Sequence, residues 1–373
     1  MFFRLGATAF GGPAMVTYIR RQAVEKSRWL DSDLFDAGVA LCQTIPGATA
    51  MQVAAYVGFA TRGVPGAAAS FVGFGFPAFV LMTALSVAYV RFHDLSAVVG
   101  TFRGLQAVIV GIIASAVIGF GRTTIKGGPH VFIAGVAAAL FGLGVHPLIA
   151  IGGTAILGVV LLRSLSVTSG ARREATLLPE TGNSLRWILA AAGLALLSLG
   201  LIQPQLFQLS AIMLRVDLFA FGGGFASVPM MLHEVVEVRR SLDASTFMDG
   251  IVLGQLTPGP IVITATFVGY LVRGLAGAIV ATVSMFLPSF LLVVGIAPHY
   301  DRLRTSPTVQ NIIGGVLCSF VGLLLAVTVR FAGDVAWNLP HLLLTAGTLA
   351  ALLLRADILW VVLTGAVLSF VLR

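Results

Sequence analysis

The sequence Gln43-Thr44-Ile45-Pro46-Gly47 returns, slightly altered, as Gln255-Leu256-Thr257-Pro258-Gly259. A second motif, Phe10-Gly11-Gly12, returns as Phe221-Gly222-Gly223. Both motifs lie in very apolar sequence, where Gly and Pro interrupt a helix and free backbone groups that lipid cannot satisfy. A membrane protein that is duplicated around broken helices usually has its transport site at the breaks.

The two halves of the chain align well beyond these motifs. Arg4 aligns with Arg215, and the charged loop Glu25-x-x-Arg28-x-Leu30-Asp31 aligns with Glu237-x-x-Arg240-x-Leu242-Asp243. We therefore predict two homologous copies of one unit, a first copy over 1–162 and a second copy over 214–373. Residues 163–213 join the copies through a polar loop and an additional transmembrane helix over 185–202.

The composition is that of a polytopic membrane protein. Hydrophobic residues make up 58% of the chain and charged residues 10%, against about 25% charged residues in soluble domains. The mean hydropathy is +0.99. Several apolar runs approach or exceed the ~20 residues that span a bilayer, near 71–90, 105–120, 185–202, 277–296 and 312–331. We therefore predict an all-α fold with several membrane crossings and broken helices.

Charge and motif content exclude several other classes. The formal charge of +8 sits mostly in short loops between apolar segments, as in residues that orient a membrane protein, so we expect no nucleic-acid binding. Cys42 and Cys318 have neither disulfide nor metal spacing. The sequence contains no His-Glu-x-x-His, Gly-x-Ser-x-Gly or Walker motif, so we predict no enzyme activity and no cofactor or metal. Without an ATP-binding module, transport would be passive or driven by an ion gradient.

Each Pro-Gly segment, 34–60 and 247–271, allows two arrangements. It is either one bent crossing or a re-entrant hairpin. A crossing gives an odd number of crossings before the second copy, so the copies are inverted, whereas a hairpin gives an even number and parallel copies. The parallel arrangement places most loop Lys and Arg residues on one side of the membrane, so the positive-inside rule favours it.

The interruptions favour an anion for a physical reason. Pro46 and Pro258 suit the first turn of a new half-helix, where the missing N–H is no loss, and Gly47 and Gly259 let a ligand approach the backbone. The N–H groups at a half-helix start carry roughly +0.5 charge. Several such ends aimed at one cavity would match a small divalent oxyanion. The alternative is that these residues only kink packed helices.

Polar side chains beside the Pro-Gly interruptions are further candidates. The amides of Gln43 and Gln255 can donate to an oxyanion, and the hydroxyls of Thr44 and Thr257 add two more donors. The same groups would equally well hold the fold together through hydrogen bonds between helices. The sequence alone leaves both possibilities open.

Arg4 and Arg215 lie about two turns before the Phe-Gly-Gly motif of their copy. An intramembrane Arg is a functional-site hypothesis, and its planar donor fork suits an oxyanion; the alternative is snorkelling to the interface. Asp217 has no acidic counterpart in the first copy, where Gly6 takes its place, and would pair with Arg215 or carry a proton. The predicted substrate-binding residues are Arg4, Phe10, Gly11, Gly12, Gln43, Thr44, Pro46, Gly47, Arg215, Phe221, Gly222, Gly223, Gln255, Thr257, Pro258 and Gly259.

The charged loop of each copy supplies candidates for gating. Glu25 and Arg28, like Glu237 and Arg240, have the i,i+3 spacing of an ion pair on a helix surface. The loops are either structural clamps near the membrane surface or parts of a gate or proton entry. The predicted residues for gating or proton coupling are Glu25, Arg28, Asp217, Glu237 and Arg240.

Taken in this order, the motifs resemble the chromate ion transporter family. The first half carries Arg4-Leu5-Gly6-Ala7-Thr8-Ala9-Phe10-Gly11-Gly12-Pro13, then Arg28-Trp29-Leu30-Asp31, then Leu41-Cys42-Gln43-Thr44-Ile45-Pro46-Gly47. The second half carries Phe221-Gly222-Gly223-Gly224-Phe225-Ala226-Ser227-Val228-Pro229 and Gly254-Gln255-Leu256-Thr257-Pro258-Gly259-Pro260. The resemblance spans nearly the whole chain, in the long-chain, two-domain form. One departure is that Ala48 stands where the second copy has Pro260.

This resemblance implies a secondary transporter that exports chromate across the bacterial inner (plasma) membrane, uses the proton gradient and confers chromate resistance. It also implies inverted halves. Chromate and sulfate are both tetrahedral dianions, so a transporter of sulfate or another oxyanion is an alternative, as is a passive anion channel. The implied partners are chromate or sulfate, protons and membrane lipid, without nucleic acid, and a homodimer is left open.

Overall fold

The computed structural model describes residues 1–10, 12–162, 183–300 and 306–371. Gly11 and the polar joiner residues 163–182 lie outside the described residues. The described residues are mainly helical and contain no β-strand, which confirms the predicted all-α class. Five helical stretches are long and apolar enough to cross a membrane: Thr49–Phe92, Ser96–Thr124, Ser184–Ile202, Ile261–His299 and Pro307–Asp334.

The helices follow the repeat. Those of the first copy are α1 (Phe2–Thr8), α2 (Gly12–Arg20), α3 (Ser32–Thr44), α4 (Thr49–Phe92), α5 (Ser96–Thr124), α6 (Gly128–Gly142) and α7 (Pro147–Leu161). The joiner contributes α8 (Ser184–Ile202), which agrees with the helix predicted over 185–202. Then follow α9 (Pro204–Leu218), α10 (Ser227–Met231), α11 (Ala244–Leu256), α12 (Thr264–Ile296), α13 (Pro307–Asp334), α14 (Leu339–Leu353) and α15 (Ile358–Val371). Short 3-10 turns precede α10 (Gly224–Ala226) and α12 (Ile261–Ile263), and π-helical turns follow α2 (Arg21–Lys26) and α10 (Leu232–Val238).

Helix α8 carries a clear membrane signature. From Trp187 to Ile202 it is apolar except for Ser198, and none of the helix's 19 residues is buried in the protein. The side chains of Leu194 and Leu201 are 68% and 78% exposed. A helix with apolar side chains on every face is stable at such exposure only when lipid surrounds it.

The helices form two compact units, which we describe separately. Of the described residues, the first unit is drawn from 1–98, 183–227 and 250–298, and the second from 99–162, 228–249 and 299–371. Each unit therefore takes helices from both copies. The Phe-Gly-Gly and Pro-Gly motifs of both copies all belong to the first unit.

Each Pro-Gly segment folds back on itself. In the first copy, Gly38 of α3 lies against the ring of Tyr56 in α4, and the Tyr56 hydroxyl donates to the Leu34 carbonyl at 3.3 Å. In the second copy, Gly250 lies in the same way against the ring of Phe267. Helix α3 has 13 residues, about 20 Å in length, which is shorter than the ~30 Å hydrocarbon core. The Pro-Gly motif is thus the tip of a helical hairpin and not a bend in one crossing.

The chain reverses a second time inside α4 and inside α12. At 62–63 the backbone leaves the helical conformation, and Gly58 contacts Gly66 across the reversal. A Cβ atom on Gly58 would lie 2.2 Å from the Gly66 carbonyl oxygen, so only glycine fits there. Gly269 and Gly277 make the same contact in the second copy, at 2.3 Å. Each of these helices therefore has a short part and a long part that run antiparallel.

The long parts of α4 (64–92) and α12 (275–296) form the centre of the first unit. Helix α1 packs on the long part of α4, where a Cβ atom on Gly6 would overlap the Phe74 carbonyl oxygen. Helix α9 packs on the long part of α12, where the Ser210 and Ser284 hydroxyls are hydrogen-bonded at 2.7 Å. Small and hydroxyl-bearing residues at such contacts are typical of helix packing in membranes.

The second unit is also packed through glycine. Gly158 of α7 and Gly315 of α13 lie backbone to backbone. A Cβ atom on Gly322 of α13 would lie 2.1 Å from the Ala134 carbonyl oxygen of α6. Helix α13 thereby approaches α6 and α7 closely enough for backbone contact, again as in membrane helix bundles.

Candidate functional site

The four helix interruptions meet in the first unit. The Gly47 N–H donates to the Ala220 carbonyl at 2.8 Å, and the Gly259 N–H donates to the Ala9 carbonyl at 3.0 Å. Each Pro-Gly tip is therefore hydrogen-bonded to the residue just before the Phe-Gly-Gly motif of the other copy. This reciprocal exchange ties the two copies together at the residues that the sequence singled out.

One further contact reinforces the first pair, and another joins the two pairs into one site. A Cβ atom on Gly223 would lie 3.5 Å from Thr49 Oγ1, and one on Gly224 would lie 2.6 Å from Ile261 Cγ2. The Phe-Gly-Gly interruption of the second copy thus touches both Pro-Gly tips. We call the region formed by residues 9–10, 45–49, 219–225 and 257–261 the tip cluster.

The backbone of the Pro-Gly tips differs from the sequence prediction. Pro46 and Pro258 do not occupy the first turn of a half-helix, because α4 begins at Thr49 and the 3-10 turn before α12 begins at Ile261. Between proline and helix stands a glycine with a positive φ, +120° at Gly47 and +113° at Gly259. The N–H groups of both glycines are used in the reciprocal hydrogen bonds. They are therefore not free to bind an anion in this conformation.

A different set of N–H groups in the tip cluster is free. Gly222 and Gly223 have φ values of +89° and +100°, which turn the chain out of α9 and into the 3-10 turn. Among the described residues, the four consecutive N–H groups of Gly222, Gly223, Gly224 and Phe225 have no hydrogen-bond acceptor. These residues are half-buried. Consecutive free N–H groups at the start of a helical stretch are the backbone arrangement that binds oxyanions.

The polar side chains predicted beside the tips differ between the copies. Gln255 is buried, and its amide nitrogen has no hydrogen-bond partner within the described residues. Gln43, its counterpart, is exposed. The hydroxyls of Thr44 and Thr257 donate to the carbonyls of the preceding helical turn. Of these four residues, Gln255 is the one with a buried donor that remains to be satisfied.

The remaining predicted substrate residues are spread over the first unit. Arg4 and Arg215 are exposed, and Arg215 Nε donates to the Ala211 carbonyl at 3.4 Å. Phe10 and Phe221 are half-buried beside the tips. Gly12 is the first residue of α2, and Gly11 lies outside the described residues.

A buried polar link holds one tip and has no equivalent at the other. The Ala48 N–H donates to Ser289 Oγ at 3.0 Å, and the Ser289 N–H donates to Asp217 Oδ2 at 2.8 Å. The repeat places Gly6, Ala78 and Pro260 at the corresponding positions. These three residues lack the carboxylate, the hydroxyl and the N–H, respectively, so the whole link is absent there. Asp217 contacts Ser289 and not Arg215, which was one of the two partners considered from the sequence.

Two residues at this tip were not predicted from the sequence. Ser289 and Gln52 both lie against Gly47, since a Cβ atom on Gly47 would be 2.0 Å from Ser289 Oγ and 2.7 Å from Gln52 Nε2. Gln52 is fully buried and donates to the Pro46 carbonyl, while its Oε1 has no partner among the described residues. The available signal was the joint departure from the repeat at Ala48 and Asp217, which marks the copies as chemically different.

A cluster of titratable side chains lies in the second unit. All its members except Arg330 lie outside the five long apolar stretches. His233 Nδ1 is 2.7 Å from Glu237 Oε2, and Arg330 also pairs with Glu237. The ring of His146 lies edge-on to that of His233, with centroids 4.7 Å apart, and its Nε2 is 3.6 Å from Glu234 Oε1. Burial alone would raise the pKa of the Glu237 carboxyl, but the hydrogen bond with His233 and the charge of Arg330 outweigh it and lower this pKa.

The charged loop of each copy begins within the last residues of a π-helical turn. Arg28 and Arg240 are exposed and have left-handed φ values of +49° and +50° just after those turns. Glu237 bonds to the titratable cluster rather than to Arg240. Glu25 is exposed, and within the described part of the chain no ion pair joins it to Arg28. Within the described residues, neither copy therefore forms the i,i+3 ion pair that the spacing predicts, and a role of these residues in gating or proton coupling stays a prediction.

An apolar cavity of about 390 Å³ lies between the long parts of α4 and α12 in the first unit. Its walls include Phe71, Phe76, Phe79, Phe286 and Phe290. The one hydroxyl in this lining, that of Thr282, is already hydrogen-bonded to Thr266 and to the Ala278 carbonyl, so transferring a dianion into the cavity would be very costly. The cavity is therefore distinct in chemistry from the tip cluster.

Comparison with known proteins agrees with the motifs. The family model described as Chromate transporter matches residues 1–159 and 207–370. An uncharacterized transporter of Methanocaldococcus jannaschii is 42% identical over all of this chain and 92% of its own length. Chromate transport proteins of Cupriavidus metallidurans and Pseudomonas aeruginosa are 31% and 29% identical, each over 94% of this chain and over 86% and 84% of their own lengths. No solved structure matches this chain.

The chain therefore belongs to the chromate transporter family. The match covers both copies and extends over almost the whole sequence. Members of this family are membrane transport proteins and not enzymes. The multi-pass membrane location predicted from composition is confirmed by this membership and by the long apolar helices.

Proposed function

We propose that this member of the chromate transporter family exports chromate from the cell by secondary transport driven by the proton gradient, and so protects the cell from chromate. Two relatives that match over nearly the whole chain are named chromate transport proteins. The sequence has no nucleotide-binding motif that would supply energy from ATP. An ion gradient is then the remaining source for uphill transport.

The observation that carries this proposal is the run of free N–H groups from Gly222 to Phe225. A tetrahedral dianion has four oxygens that accept hydrogen bonds, and backbone N–H groups supply donors without a counter-charge that must itself be desolvated. Gln255 adds a buried amide donor on the adjoining hairpin. At Gly223, where the one heavy atom within 4 Å of an added Cβ would be Thr49 Oγ1 at 3.5 Å, an oxygen has space to approach the backbone.

We further propose that the two copies are inverted, because of the direction in which contacts run in the first unit. A Cβ atom on Gly259 would lie 2.9 Å from Ala78 Cβ, and the rings of Tyr89 and Phe267 are 5.1 Å apart. The short part of α12 then runs in the same direction as the long part of α4. Since the two parts of α12 are antiparallel, the long parts of α4 and α12 oppose each other.

The number of membrane crossings before the second copy is compatible with inverted copies if the Phe-Gly-Gly segment, like the Pro-Gly hairpin, does not cross the membrane. The ring of Trp29 lies 6.3 Å from that of Phe2, so the Phe-Gly-Gly segment of the first copy returns to its own beginning. Removing this segment and the Pro-Gly hairpin from the crossings of a copy leaves an odd number before the second copy. Inverted copies around a midplane site support alternating access by motion of one copy against the other.

The function is tested by transport into inverted membrane vesicles, in which export appears as uptake. We expect chromate uptake in energised vesicles that contain the protein and no uptake after a protonophore is added. Sulfate uptake with chromate ignored would reassign the substrate within the same fold. Chromate movement that follows its own gradient and is unaffected by the protonophore would identify a channel and contradict the proposal.

A further inference from the structure

We propose that Asp217 is the proton-binding residue of this transporter and that it takes up one proton together with each oxyanion. The inference rests on the proposed function and adds to it the residue, the number of protons and the sign of the linkage. It starts from the buried hydrogen bonds that connect Ala48, Ser289 and Asp217 at the first-copy tip. Oxyanion binding to backbone N–H groups does not by itself require these hydrogen bonds.

Asp217 has the surroundings of a carboxyl group that binds a proton. Its side chain is fully buried, Oδ2 accepts from the Ser289 N–H at 2.8 Å, and Oδ1 has no partner among the described residues. A buried carboxylate with one unsatisfied oxygen is unstable as an anion. A proton on Oδ1 removes the charge and leaves the hydrogen bond to Oδ2 intact. Gln52, which lies against the same tip, has an unpartnered acceptor oxygen of its own.

Among the described residues, the elements packed around Asp217 supply no cation that is hydrogen-bonded to it. It lies on α9, which packs against α8 and α12, and Ser289 connects it to the tip before the short part of α4. The long part of α12 contains no titratable residue, and 45–61 contains only Tyr56. The cations on α8 and α9 are Arg186 and Arg215, and neither is hydrogen-bonded to Asp217. Within the described residues the charge of the Asp217 carboxylate is thus not balanced by a bonded cation, and a proton that binds together with the oxyanion would balance it without a cage of ligands.

Asp217 lies on the same short stretch of chain as the free N–H groups. Gly222 is the fifth residue after it, a path of at most about 18 Å, and Ala220 between them accepts the Gly47 N–H. In a site of low dielectric constant, a dianion held at Gly222–Phe225 and a charged Asp217 repel each other. Protonation of Asp217 thus strengthens oxyanion binding, and oxyanion binding strengthens protonation by the same factor.

Only one of the two tips carries the link, so we expect one proton per oxyanion. Gly6, Ala78 and Pro260 cannot form it. One proton that travels with one dianion leaves a single net negative charge to cross the membrane. An inside-negative membrane potential, the electrical part of the proton gradient, drives that charge outward. The pH difference opposes export of the proton, so the membrane potential alone supplies the energy of this coupled step.

The linkage is tested by calorimetry of chromate binding to the purified full chain between pH 7 and 8, in buffers with different enthalpies of ionisation. We expect the wild type to take up about one proton per chromate bound. The Asp217→Asn variant, which is neutral and of equal size, is expected to bind chromate without proton uptake. Glu237→Gln, which removes the other paired carboxylate considered for coupling, is the matched control and should retain the proton uptake.

Each outcome bears on a separate statement. Chromate bound by all three proteins, with proton uptake lost only in Asp217→Asn, supports the inference. Proton uptake retained in Asp217→Asn, or lost in Glu237→Gln instead, overturns it. Should Asp217→Asn not be recovered in folded form, wild-type binding with no proton uptake at any pH in this range overturns it as well. Failure of every protein to bind chromate would instead contradict the proposed function on which the inference rests.

Discussion

The Gly47→Ala substitution tests the tip cluster most severely. Gly47 has a φ of +120° and donates its N–H to Ala220 of the other copy. An added Cβ atom would lie 2.0 Å from Ser289 Oγ and 2.7 Å from Gln52 Nε2. Alanine therefore meets a backbone conformation that it rarely adopts and two buried side chains that are already hydrogen-bonded.

The cost can be worked out from these contacts. The positive φ costs an L-residue about 1–2 kcal/mol, and overpacking a filled site costs about 1–3 kcal/mol more. Displacing Ser289 would also remove its hydrogen bond from Ala48, at about 0.5–1.5 kcal/mol. The sum is roughly 2.5–6.5 kcal/mol, enough to shift an equilibrium between two tip conformations by about 60-fold or more.

Two other glycines serve as controls. Gly259→Ala meets a similar φ but a single contact, at 2.9 Å from Ala78 Cβ, so its cost should be at the low end. Gly193→Ala lies within α8, where nothing is within 4 Å of the new Cβ atom, and its helix propensity gains up to ~1 kcal/mol. Thermal unfolding in detergent and chromate uptake into vesicles should both rank Gly193→Ala above Gly259→Ala above Gly47→Ala. A Gly47→Ala protein as stable and active as Gly193→Ala would refute the packing described for the tips.

Two further substitutions test single side chains. Gln255→Ala should abolish chromate uptake without loss of protein from the membrane, because it removes a buried donor. Gln43→Ala, at the exposed counterpart, should leave most of the uptake. Equal effects of the two substitutions would show that burial does not distinguish the two glutamines. Glu237→Gln should flatten the acid limb of the stability profile: since the pKa of Glu237 is lowered in the folded state, its contribution is present above the ordinary Glu value near 4.3 and is lost as the pH falls through the lowered pKa. Melting temperatures of the wild type and of Glu237→Gln, measured from pH 7 downward, check this, and parallel curves for the two proteins would contradict it.

The sequence was sufficient to predict the two copies, the all-α membrane class and the positions of the interruptions. It was not sufficient to predict the direction of the chain after each interruption, because Pro46-Gly47 is equally compatible with a bend and with a hairpin tip. The decisive contacts are between residues far apart in the sequence, such as Gly38 with Tyr56 and Gly58 with Gly66. The position of a glycine in the sequence does not reveal which helix packs against it.

The chemistry of the tips was predicted only in part. The half-helix argument pointed to backbone N–H groups, but those of Gly47 and Gly259 are used between the copies, and the free ones are at Gly222–Phe225. Positive φ values at Gly222 and Gly223 produce this arrangement, and a φ value cannot be read from a Gly-Gly pair. The departures at Ala48 and Asp217 were visible, whereas their connection through Ser289 depends on α9 packing against α12.

The central claim is that an oxyanion binds to the free N–H groups at Gly222–Phe225, and amide hydrogen exchange with and without chromate tests it most directly. A bound oxyanion accepts hydrogen bonds from these amides and should slow their exchange. We predict that chromate slows exchange in a peptide covering 219–226 and leaves one from α8 unchanged. Chromate transport by the same preparation with no slowing at 219–226, or slowing confined to other segments, would contradict the claim.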